Sequence, residues 1–198
     1  MRTRLGRTLA ALVALAVTCV AIVGGCSQDD DEPSADKPSP SASETPEKPP
    51  VTTQVVVGRV AGKLGDAQKQ ALKEDVKAIV DEFFDGAYLG EFPRSSFGKA
   101  YASFTDGAKQ DALRDARLLS NAKISDQIES ATGHKREVAL DVLAVKGKAQ
   151  GVTARFTLTF DTAGELEQRD RVSGYLLLDN EKGTWQVFGY DVIRSVVS

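Results

Sequence analysis

From Leu72 onward, apolar residues recur at spacings of 4, 3, 1, 3, 1 and 3, through Val76, Ile79, Val80, Phe83, Phe84 and Ala87. These spacings place all seven side chains on one face of a helix. Asp66, just after Gly65, is positioned to act as its N-cap. Lys69, Lys73, Asp75, Lys77 and Asp81 fall on the opposite face, so the helix is expected to lie on a core with one side in water. Gly90 and Pro93 end the pattern. Phe97, Ala100, Tyr101 and Phe104 then follow at i, i+3, i+4 and i+7 and predict a short second helix. Thr105 is expected to cap a third helix reaching Leu119, with Asn121 at its end. Ile124 and Ile128 fit either a helical turn or an irregular strand.

Beyond Lys135 the period falls from near 3.6 to 2. Val138, Leu140 and Val142 alternate with Glu137, Ala139 and Asp141. Val152, Ala154, Phe156, Leu158 and Phe160 alternate with Thr153, Arg155, Thr157 and Thr159. Such alternation predicts half-buried strands, and Val172 to Leu178 and Trp185 to Ile193 supply two more. Turns at Lys146 to Lys148, Asp161 to Glu165 and Asp179 to Gly183 join them as hairpins. Val51 to Val60 reads as an extended lead-in or edge strand. The expected class is therefore α+β, with N-terminal helices packed on a curved antiparallel sheet.

Three helices before a long sheet that ends in Gly183, Trp185, Val187 and Asp191 resemble the NTF2-like (cystatin-like) cone. The resemblance spans Asp66 to Arg194 by order of elements, and only the last strand by residues. It implies that Trp185 packs under the first long helix and that Phe84, Tyr88, Phe156, Trp185 and Tyr190 are candidates to line a cone cavity. In this it resembles small actinobacterial lipoproteins carrying such a domain without an assigned activity, including those similar to Mce-associated proteins.

The N-terminus reads differently. Arg2, Arg4 and Arg7 precede an uncharged apolar run, Thr8 to Val23, that ends at Gly24, Gly25 and Cys26. Basic, apolar and small segments in that order build a secretory signal. A membrane-spanning helix is the alternative, but the run is short for about 20 apolar residues, breaks at two glycines and meets Asp29, Asp30 and Asp31. Val23, Gly24, Gly25 and Cys26 resemble the lipobox of bacterial lipoproteins, with Gly24 and Val23 the less usual choices at their positions. That resemblance implies cleavage after Gly25 and diacylglyceryl transfer to the Cys26 thiol, against the plainer reading of Cys26 as a small residue at a signal-peptidase site. Two acyl chains anchor stably where one does not. Cys19 would leave with the signal, so the mature chain would hold no internal disulfide.

From Ser27 to Pro50 the chain holds six of its seven prolines and no aromatic or large aliphatic residue. It is expected to be a disordered tether reaching roughly 30 Å as a coil and about 75 Å fully extended. The expected organisation is a signal peptide over 1–25, a tether over 26–50 and a folded domain over 51–198.

Charge then narrows the function classes. The tether carries seven acids and two lysines, and the signal three arginines, which leaves about -1 for Val51 to Ser198 out of a total of -3. A nucleic-acid partner would need a basic stripe that is not present in the sequence. The single histidine, His134, lies between Gly133 and Lys135 and reads as a solvated side chain at a turn. With one His and one lipidated Cys the chain lacks the usual soft zinc ligands, and no triad or phosphate loop is legible. No cofactor or metal is expected. The remaining catalytic option is an acid meeting a tyrosine in the cone mouth, drawn from Asp81, Asp85, Tyr88, Asp170 and Asp191. Arg155 and Arg171 on outer strand faces are read as surface ion-pair partners. The expectation is a lipid-anchored extracytoplasmic protein of the cell membrane acting as a non-enzymatic binding or assembly module toward an envelope partner. The alternative is a carrier of small apolar ligands, or an isomerase or hydrolase, using the cone cavity.

Overall fold

The computed structural model describes residues 51–197. Segments 1–25 and 26–50, with Gly25 and Cys26, lie outside the described residues. The long helix forms as α1 (Asp66–Ala87), and the seven residues read as its apolar face are its buried residues. Its N-cap is Gly65, not Asp66. Asp66 instead sits in the first turn, where a carboxylate meets the positive end of the helix dipole, and holds Lys69 at 2.9 Å.

After a two-residue strand, β2 (Gly90–Glu91), the predicted second helix winds only as a 3-10 turn, Gly98–Tyr101. All four residues of its apolar pattern are nonetheless buried. This turn sits directly on the backbone of α1. A Cβ at Gly86 would stand 2.6 Å from the Ala100 Cα, so glycine is what permits the approach. Thr105 does cap the next helix, α2 (Asp106–Arg114), accepting from the Ala108 amide at 3.4 Å. The expected single helix to Leu119 breaks at Asp115, giving a separate turn, α3 (Ala116–Leu119). Buried tyrosines take over the carbonyls that a continued helix would have paired. Tyr88 Oη donates to Leu118 O and Tyr101 Oη to Leu119 O, both at 3.2 Å.

The sheet has six strands: β1 (Gln54–Ala61), β2, β3 (Ile128–Val145), β4 (Lys148–Gly164), β5 (Gln168–Glu181) and β6 (Thr184–Val196). Its order is β1-β3-β4-β5-β6, with β2 also paired to β3. The chain is thus α+β, but the sheet is mixed rather than wholly antiparallel. The four long strands form the expected meander, whereas β1 runs parallel to β3, with Val57 opposite Leu140. A parallel pair needs a long connection, and every helix of the described region lies between these two strands.

The strands are longer than the alternation suggested, and the turns correspondingly tighter. Lys146-Gly147 and Lys182-Gly183 each close a two-residue hairpin with positive φ at both positions (51° and 76°; 53° and 93°), the geometry that matches strand twist. β3 begins well before Lys135, and a bulge between Gly133 and Lys135 hides that start from a period-2 reading.

Helices and the buried strand positions meet in one core centred on Phe83, whose ring lies 5.6 to 6.3 Å from those of Phe84, Tyr88, Tyr101, Phe104 and Phe156. Phe156 on β4 stands opposite Gly174 on β5, so an aromatic ring fills space beside a residue with no side chain.

Candidate functional site

The core leaves the candidate cavity residues as packing groups. Phe84 and Phe156 meet at 5.4 Å, and Tyr88 packs on Phe160 at 5.9 Å. Burial pushes the Tyr88 hydroxyl well above the ordinary tyrosine range and that of Tyr101 up to about 12. Trp185 is buried near the first turns of α1, bordering a depression shared with Leu64, Gln68 and Leu72. Tyr190 is half-buried at the helix side of β6, and its hydroxyl donates to Asp115 Oδ2 at 2.9 Å. Burial and that neighbouring carboxylate raise its pKa.

The acids are tied up elsewhere. Arg136, on β3, reaches Asp81 and Asp85 at 3.0 Å each while lying over the Phe84 ring. Lys77 bonds the other Asp81 oxygen at 2.6 Å, and Thr53 donates to Asp81 from just before Gln54, the first residue of β1. This cluster ties the segment before β1 to α1 and β3. Tyr88, turned toward α3, does not join it, so the catalytic option of an acid meeting a tyrosine is not assembled from Asp81, Asp85 and Tyr88.

His134 is not at a turn. It is the extra residue of the β3 bulge, with Nε2 2.7 Å from Asp161 Oδ2 on β4. Arg169 of β5 grips the same carboxylate through two bonds of 2.7 and 2.9 Å. Arg169 first, and His134 after it, hold the Asp161 carboxyl down to about 2. Arg155 pairs with Asp141, as its strand position suggested, and that contact lowers the Asp141 pKa.

Asp170 is the acid that sequence reasoning placed on a strand without its partner. It points to the helix side of β5 with its side chain 1% exposed, and Arg194 of β6 meets its Oδ2 at 2.7 Å. Gln168 Nε2 adds a bond of 2.8 Å to that oxygen, while Oδ1 has no partner. The Arg194 guanidinium lies over Phe160 and also donates to Ser120 O at 3.3 Å. Two strands and the segment after α3 are thereby pinned together. An alternation that buries Asp170 beside Val172 was the available signal; Arg194, two residues after Val192, carried the matching one. A cavity of about 390 Å³ opens beside the pair, lined by Arg117, Lys123, Ile124, Leu166 and Val196 among others.

The second feature is the other side of the sheet. Helices pack on one face only, and among the described residues no element covers the face that carries Asp141, Leu143, Thr153, Arg155, Tyr175, Leu177 and Ile193. A bulge between Leu177 and Leu178 leaves Phe188 without a cross-strand partner and sends it outward. Phe188 is 50% exposed, Leu143 54% and Ile193 66%. Phe188, Leu143, Leu177 and Thr153 border a shallow depression of about 520 Å³. Three ion pairs lie on this face, Arg155 with Asp141, Lys135 with Glu137 and Arg169 with Asp161. Arg171, read from the sequence as an ion-pair partner, and Asp191 make no ion pair among the described residues.

No known family model, curated protein or solved structure matches the chain. Among the described residues no helix is long and apolar enough to cross a membrane, and no cluster of His, Cys, Asp and Glu is arranged to hold a metal.

Proposed function

We propose that this chain is a lipid-anchored protein of the extracytoplasmic membrane face whose domain is a non-enzymatic binding module, docking a protein partner through the uncovered face of its sheet. The observation carrying this reading is the pairing of a filled interior with a face on which Leu143, Phe188 and Ile193 stand in solvent. Leu143 and Phe188 border one depression and Ile193 stands farther along the same face, and exposed apolar surface of this kind is typical of interaction sites. The mixed signs of the charges on this face, three pairs of them in contact, favour a near-neutral protein surface over nucleic acid or any strongly charged partner. The order of helices and strands, with Trp185 near α1, supports an NTF2-like architecture. Attachment through Cys26 would raise the effective concentration toward neighbours on the same membrane, so that a weak contact suffices.

Two measurements test the reading. Mass spectrometry of the mature protein should find a diacylated Cys26 as first residue, and an unmodified Met1 terminus recovered in aqueous fractions would end the anchoring claim. In intact cells, a photocrosslinking amino acid in place of Phe188 or Ile193 should capture one discrete protein, and the same group in place of Gln110 on α2 should not. Capture of no protein from the sheet face, with a metabolite copurifying instead, would transfer the case to a carrier or enzyme. The cavity beside Asp170 is the observation that favours that second reading.

A further inference from the structure

Two charges on the uncovered sheet face make no ion pair among the described residues, and they are opposite in sign. Arg171 on β5 and Asp191 on β6 are both exposed. The register explains why they do not meet. Ser173 stands opposite Ile193, Arg171 opposite Ser195 and Tyr175 opposite Asp191. Arg171 therefore lies one side-chain step to one side of Ile193, and Asp191 one step to the other. At about 6.8 Å per step and 4.8 Å per strand, their Cα atoms are roughly 14 Å apart, too far for an ion pair.

A two-fold axis removes that separation. If it runs across the strands through Ile193, each level of one copy lies over the level equally far beyond Ile193 in the other. Arg171 then arrives over the half-buried Tyr175 of the second copy, with Asp191 of that copy one strand, about 4.8 Å, to the side. Facing sheets pack about 10 Å apart, a gap that an arginine and an aspartate span together. Symmetry supplies the contact twice, adds a guanidinium on an aromatic ring, and covers Ile193, 66% exposed, with its own copy. Phe188 comes over the end of β6 in the second copy, by Val197. Glu137, level with Ser173 and Ile193, also faces its own copy, but Lys135 at 2.9 Å already balances each carboxylate.

The overlapping levels run from Asp161 and Arg169 at one end to Asp141, Thr153 and Leu177 at the other. At sheet spacings that is a face of roughly 700–800 Å² per copy, close to what each side contributes to a standard stable interface. Given that this face docks a protein, as proposed above, we infer that its occupant is a second copy of this chain, packed about a two-fold axis through Ile193 with Arg171 of each copy paired to Asp191 of the other.

Photocrosslinking in intact cells tests the pairing. A photocrosslinking amino acid in place of Ile193 should join the chain to a tagged second copy of itself, identified by mass spectrometry of the adduct. Arg171→Asp and Asp191→Arg, each expressed alone, should reduce that adduct about tenfold or more, because like charges then face each other at both contacts. Coexpressing the two variants should restore it, since the mixed pair matches both contacts again. An adduct with a different protein overturns the second copy and leaves the docking face standing, whereas no adduct at all removes both. A self-adduct that survives either single reversal, or that coexpression does not restore, also overturns the assignment.

Discussion

Replacing Arg194 with methionine removes the guanidinium from the Asp170 carboxylate while keeping an apolar stem over the Phe160 ring. Asp170 then remains at 1% side-chain exposure with Gln168 as its remaining partner on Oδ2 and nothing on Oδ1. Breaking a buried ion pair from one side typically costs about 3–5 kcal/mol, because the surviving charge is stranded away from water. Arg194 is itself 15% exposed, so water reaches the edge of the pair and the lower part of that range, about 3 kcal/mol, is expected. Ser120 O loses its bond from Arg194 as well, a loss of about 1 kcal/mol. The predicted total is about 4 kcal/mol, read as a lowered urea midpoint at constant slope. Removing both charges with Asp170→Leu and Arg194→Met should recover most of the loss, since two apolar groups of suitable size replace a pair whose burial is itself expensive. A loss under about 1 kcal/mol for Arg194→Met, the size of a surface pair, would show that the pair is solvated and refute the reasoning. So would a double variant as unstable as the two single changes added together.

Three further outcomes are expected. The Asp161 carboxyl should titrate near 2 by NMR, below the ordinary 3.8. A depressed folded value contributes stability that is present above the unfolded value and fades as pH falls through the folded one, so acid unfolding should steepen between about pH 4 and 2. Arg169→Met should move the Asp161 midpoint back toward 3.8, and an unmoved midpoint would deny Arg169 its part. Arg94→Met should cost about 1–3 kcal/mol in urea denaturation, because Arg94 donates to Asp85 O at 2.8 Å, Gly86 O at 3.2 Å and Leu89 O, closing the C-terminal end of α1. An undisturbed midpoint would mean water caps that end equally well. Finally, Phe188→Ser should change stability by less than about 0.5 kcal/mol, as for a surface position, while abolishing capture of the proposed partner; a large loss of stability would instead make Phe188 part of the fold's own packing.

The fold was legible where one period ran unbroken. Leu72 to Ala87 kept a 3.6-residue period, and all seven predicted core positions of α1 are buried. Val152 to Phe160 kept a period of 2, and β4 follows it. Interruptions were misread in proportion to their abruptness. His134 looked like a turn because a single inserted residue breaks alternation just as a turn does. Phe188 breaks it the same way on β6. The direction of β1 was not legible at all, because parallel and antiparallel edge strands share one side-chain period and differ in where the chain has travelled between them. Site residues fared worse than elements. Arg94 carries no sequence signal of its role, because its contacts with the carbonyls of Asp85, Gly86 and Leu89 form only once the chain folds back on the end of α1. The Asp170 and Arg194 pairing was hidden because each is an ordinary charged residue until the register of β5 and β6 sets Arg194 opposite Val172, diagonally within reach of Asp170.

The parallel docking of β1 on β3 also sets an order of events. Val55, Val56 and Val57 leave any synthesising or translocating machinery early, yet the backbone they must pair with, Val138 to Leu140, emerges only after all of the helices. Closing so long a loop adds little to the equilibrium cost, about 0.6 kcal/mol per doubling of length, but distant pairings form slowly. For that interval a run of three valines is an unpaired, aggregation-prone ribbon. Attached at a single edge once docked, the same strand is the natural place for the finished domain to fray, and its amides should exchange with solvent before those of β4.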